Sequence, residues 1–123
     1  MGIKLIKIST LYFVIGVSLG YYMSVAHNYE LTGVHVHINL LGWTALTLAG
    51  LIYHTFPNLA NSKLAKWHFW LHNLGLPIMM IALASLILTG NTALTAAIAT
   101  GATLTVLGIY IFAYNVWANL KSE

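Results

Sequence analysis

Two histidines one residue apart open a long apolar stretch, His35-Val36-His37, and are followed by Asn39, Gly42 and Trp43. Neutral imidazole binds iron, copper and zinc, and an ionisable side chain inside a membrane span is costly enough to mark a site. Residues two apart on a helix are separated by about 200° around its axis, so His35 and His37 look to opposite sides. They cannot chelate one small ion from one regular helix, but they can serve two neighbours. Gly42 leaves room for a close approach from a neighbouring helix. His27 precedes the pair, with Met23 nearby, and His54, His68 and His72 follow it. His68 and His72 are four apart and share a helix face.

Composition decides the setting of these histidines. The chain has 123 residues, of which 59% are hydrophobic and 6% charged. Soluble domains carry about 25% charged residues, so this chain belongs in lipid. Five lysines stand against Glu30 and Glu123, with no arginine and no aspartate. That is too sparse a basic face for nucleic acid. The absence of cysteine excludes disulfides, thiolate metal sites and cysteine nucleophiles. No hydrolase elbow or phosphate loop is present.

The expected fold is all-α: one integral membrane domain over 1–123 with helices at about 8–26, 34–56, 64–88 and 93–120. The basic start and Ser24-Val25-Ala26 resemble a signal peptide, but the first segment is read as a membrane helix carrying a Gly16-x-x-x-Gly20 packing motif. Pro57-Asn58 ends the second span, Pro77 should kink the third, and Gly90-Asn91 makes a turn. Ala93, Ala97 and Gly101 give a small-residue stripe in the fourth, read as a packing face. All five lysines fall on one side of this topology, which places both termini in the cytoplasm, in a bacterial inner membrane.

Helical rise sorts the histidines into two layers: His27, His35 and His37 on the outer side, and His54, His68 and His72 on the inner side. His37 and His72 differ in height by about 20 Å, too far for two axial ligands of one heme. Two axial imidazoles favour one-electron transfer, and without CxxCH the heme would be held non-covalently; heme b is the expectation, although hemes a and o can use the same protein ligands. His54 with His68 or His72 would supply a second heme site. The alternative is copper or zinc held by His27, His35 and His37, with Met23 available to copper. A third reading is a cofactor-free accessory subunit.

HVHINLLGW at 35–43, then Tyr53 and Pro57, then WHFWLHNLG at 67–75, resembles part of the catalytic subunit of the heme–copper oxidases. The likeness is to the C-type oxidases and nitric oxide reductases and covers roughly residues 33–76. In that family the first histidine of the pair ligates the high-spin heme and the second the low-spin heme, on opposite faces of one helix. The resemblance implies those roles for His35 and His37. The family subunit has about twelve helices in three arcs of four, whereas this chain has room for four. A homotrimer would imitate the arcs, with His35 of one copy facing His37 of the next. The family's copper-binding histidines, cross-linked tyrosine and proton-channel acids have no counterpart here. The chain therefore reads as a heme-binding, electron-transfer protein of the bilayer with a redox partner, rather than a complete oxidase.

Overall fold

A chain with so little polar side chain must satisfy its backbone within each element, and helices do so. The computed structural model describes residues 1–122 and is all-helical. Helix α1 spans Gly2–Ala26. The second span, Thr32–Thr55, is built from α2 (Thr32–His37), a π-helical turn (Ile38–Thr44) and α3 (Ala45–Thr55). A short α4 (Pro57–Ala60) leads to α5 (Lys63–Thr89), and a 3₁₀ turn (Thr92–Leu94) leads to α6 (Thr95–Asn119). Four helical spans are long and apolar enough to cross a membrane.

Helix ends follow local chemistry. α1 begins well before residue 8, because Lys4 and Lys7 are good helix formers and extend it beyond its apolar stretch. It ends at His27, in the left-handed conformation with φ of 51°, where Asn28 N–H reaches back to Met23 C=O at 3.1 Å. Histidine is among the few residues that accept this conformation. Ser62 caps α5 by accepting Ala65 N–H at 3.1 Å. Gly90, with φ of 70°, ends it, and α5 continues as one helix through Pro77.

The helices pack as two hairpins, α1 against the second span and α5 against α6. The α5–α6 contact is nearly backbone on backbone. A Cβ on Gly75 would stand 2.7 Å from Thr105 N and 2.8 Å from Gly101 O. The packing stripe on α6 is therefore Gly101, Thr105 and Gly108, all buried. Ala93, expected to open that stripe, is exposed and precedes α6, because the chain is still turning there.

One apolar cluster holds Leu5, Leu46, Tyr53 and Leu59, with Met1 and Leu120 packed against it. Both chain ends and the second loop thus lie at one end of the bundle. A second cluster joins Val34 and Ile38 to Leu76, Met79 and Met80 of α5.

Candidate functional site

The first histidine of the pair is seated on α1. His35 Nδ1–H donates to the Gly16 carbonyl at 2.7 Å. The ring fits because Gly20 has no side chain: a Cβ there would lie 2.7 Å from His35 Cε1 and 3.3 Å from Nε2. The Gly16-x-x-x-Gly20 motif is thus used inside the chain, as the socket of an imidazole. A carbonyl only accepts, so the proton sits on Nδ1 and Nε2 keeps its lone pair.

Asn39, one helical turn on, places Oδ1 against Gly16 with no hydrogen-bond partner, and Nδ2 3.3 Å from His35 Nδ1. Two donors then face each other. The amide is nearly symmetric in shape. Turned over, its oxygen would share the His35 Nδ1–H with the Gly16 carbonyl.

His37 is exposed and donates Nδ1–H to the Gly33 carbonyl, one turn back, at 2.7 Å. Its Nε2 is also left with a free lone pair. The two histidines look to different sides, as their spacing requires: one is half-buried on α1, the other is open.

His68 and His72 are arranged differently, and the expected separation of about 20 Å in height between His37 and His72 does not hold: His72 reaches Leu41, which lies four residues, about 6 Å, along the second span from His37. Tyr53 O–H donates to His68 Nδ1 at 2.8 Å. His68 Nε2–H donates to His72 Nδ1 at 3.1 Å, and His72 Nε2–H donates to the Leu41 carbonyl at 2.9 Å. With both rings neutral, the acceptor-only carbonyl at one end fixes the direction of every bond. Tyr53, His68 and His72 are each 1% exposed. Both nitrogens of both rings are engaged in hydrogen bonds.

His54, expected to meet His68 or His72, does not. The buried stripe of α3 is Leu46, Ala49, Gly50 and Tyr53, and His54 falls about 100° off it, exposed. That stripe, with its helical spacing, was the sequence signal for Tyr53. Nothing comparable announced Leu41, whose role is carried by its backbone.

The three-histidine metal set of His27, His35 and His37 is not assembled either. His35 lies beside Gly16 and Gly20, whereas His27 is seven residues beyond Gly20, about 10 Å along the helix. Among the described residues, no three His, Cys, Asp or Glu side chains come together to hold a metal ion. An apolar groove between α1 and α5, lined by Ile8, Tyr12, Ile15, Ile38, Pro77 and Ile81, contains no histidine.

Fold and site define an all-helical integral membrane protein whose second span carries two imidazoles on different sides. Within that class, the chain is similar to cytochrome c oxidase subunit 1 of Rhodobacter capsulatus, 29% identical over 129 aligned positions that take in 81% of the chain and 24% of that protein. It is 36% identical over 61 residues to the subunit 1 homolog of Agrobacterium tumefaciens, covering 45% of the chain and 11% of the relative. The subunit 1 homolog of Azorhizobium caulinodans is 36% identical over 66 residues, covering 49% of the chain and 12% of the relative. The chain thus spans a quarter or less of the length of these relatives. No family model matches it. No solved structure matches it.

Proposed function

We propose that the chain is a membrane b-type heme-binding protein that carries single electrons, with His35 and His37 as axial ligands. The observation that supports this is the tautomer of the pair. Each ring gives Nδ1–H to a backbone carbonyl, Gly16 for His35 and Gly33 for His37, and keeps the Nε2 lone pair. Metal-bound histidines use this arrangement, in which the second hydrogen bond fixes the ring and raises its basicity. A bound heme would supply one-electron chemistry. The chain's own residues hold the two imidazoles in place, and Gly20 gives one of them room. The partial similarity to oxidase subunit 1 points the same way, with the pair at positions implied for a high-spin and a low-spin heme in C-type oxidases and nitric oxide reductases.

The proposal leaves the other four histidines out of this heme site: His68 and His72 are hydrogen-bonded through both ring nitrogens, and His27 and His54 stand at the ends of α1 and α3. A second copy then supplies the missing ligand. A homotrimer gives each copy one neighbour for His35 and another for His37. Lysine placement puts both termini in the cytoplasm of a bacterial cell.

The test is a reduced-minus-oxidised visible spectrum of the protein purified in detergent from heme-supplied cells, repeated on H35A and H37A. Sharp low-spin bands lost in both variants are expected, together with a trimeric mass. A preparation without heme bands that still assembles in both variants would refute heme binding and leave a cofactor-free accessory subunit. A heme-loaded monomer would refute the pairing across copies.

A further inference from the structure

The Tyr53–His68–His72 chain ends on a carbonyl whose availability has a cause. Ala45 N–H bonds Leu40 C=O, a five-residue step. Thr44 is the N-cap of α3, so the next span of four-residue bonding starts from its carbonyl. Between these lie three carbonyls, of residues 41 to 43, and two amides, of residues 46 and 47. One carbonyl is surplus by count, and in a bilayer it needs another donor. His72 Nε2–H supplies it to Leu41.

We infer that Tyr53, His68 and His72 act as a latch that holds the π turn open, and that the π turn sets the direction in which His35 and His37 point. Tyr53 and His68 act at one remove. Tyr53 O–H occupies His68 Nδ1, so His68 carries its proton on Nε2. That proton occupies His72 Nδ1, so His72 carries its own on Nε2, facing Leu41. Tyr53 and His68 are thus positioning residues: the Leu41 carbonyl sets the direction of the chain, and they supply the partners that let His72 keep its proton on Nε2.

The geometric consequence is large. A π turn accommodates one residue more than an α-helix of the same rise. Restoring α-helical bonding between residues 38 and 44 would turn everything upstream by about 100° relative to α3. His35 and His37 lie just upstream. α3 is held at its packing face by Leu46, Ala49 and Tyr53, so a rotation taken up upstream would pull Val34 and Ile38 off α5 and carry His35 and His37 with them. His35 would leave the socket at Gly16 and Gly20. The latch runs from Tyr53 to Leu41, inside the π turn, and Leu41 lies four residues, about 6 Å, from His37. That His35 is a ligand rests on the function proposed above; the coupling itself does not.

The test uses the full chain in lipid nanodiscs, labelled with ¹⁵N-histidine and free of heme. In the parent protein, His72 is expected as the Nε2–H tautomer and His35 as the Nδ1–H tautomer. H72F removes the donor to Leu41, and the His35 Nδ1–H signal should be lost. H72Q places an amide N–H near the same carbonyl and should restore it. A helical, folded H72F with an unchanged His35 signal would overturn the proposal. So would a parent His72 protonated on Nδ1, and that result decides the matter if H72F fails to fold. Because heme is absent throughout, a chain that binds no heme can still pass.

Discussion

Gly20→Ala places one methyl group at the point where the paired histidines meet the rest of the fold. The new Cβ would stand 2.7 Å from His35 Cε1, against the 3.4 Å at which ordinary contact begins. The ring must retreat by about 0.7 Å, which carries the 2.7 Å bond from Nδ1–H to Gly16 beyond the roughly 3.2 Å limit of a good hydrogen bond. Losing that bond costs about 1 kcal/mol. Overpacking costs about 1–3 kcal/mol. The alanine returns about 0.5–1 kcal/mol through its lower backbone entropy. The expected net loss is about 1–3.5 kcal/mol, read as a shifted midpoint when sodium dodecyl sulfate is titrated into dodecylmaltoside micelles and helical circular dichroism is followed. Gly33→Ala is the control. Nothing lies within 4 Å of its new Cβ, so its midpoint should hold or rise. A G20A midpoint within about 0.5 kcal/mol of G33A, the range of a harmless surface change, would show that the socket is not tight and would remove the reason for a glycine there.

Three further outcomes use the same titration. Tyr53→Phe removes the hydroxyl that His68 Nδ1 accepts and leaves a buried acceptor bare, at an expected cost of about 1–3 kcal/mol; an unchanged midpoint would show that the hydroxyl bond contributes nothing. Gly101→Ala presses a methyl group on the backbone of Met79 and Gly75, which no side-chain rotation relieves, and should cost about 1–3 kcal/mol. Ala93→Leu, at the exposed start of the expected stripe, should stay within about 0.5 kcal/mol of the parent.

The four spans were legible because their length and apolar content leave a chain in lipid little choice. The opposed faces of His35 and His37 were legible because rotation per residue is fixed by helix geometry. What could not be read was whether the helix stays regular. The π turn at Ile38–Thr44 depends on a donor from another helix, and no local pattern in INLLGWT reveals His72. Tyr53 rather than His54 is legible from the α3 stripe of Leu46, Ala49, Gly50 and Tyr53, whose helical spacing leaves His54 about 100° off the packed face. Ala93 misled because residue type suggests a packing face, whereas the turn at Gly90–Leu94 decides where that face begins.

The polar bonds between the helices bear on something other than strength. Thr47 to Ser9 at 2.8 Å and His35 to Gly16 join α1 to the second span. Tyr53 to His68 and His72 to Leu41 join that span to α5, and Asn115 Nδ2 to Leu59 C=O at 3.2 Å joins α6 to the second loop. Apolar helix faces in lipid resist sliding weakly, because one row of methyl groups packs much like the next. A slip of one helical turn, about 5.4 Å, would break two of these bonds at either seam of the second span at once. These few hydrogen bonds therefore act as pins that set the register of the bundle, permitting one axial alignment among many of similar packing quality.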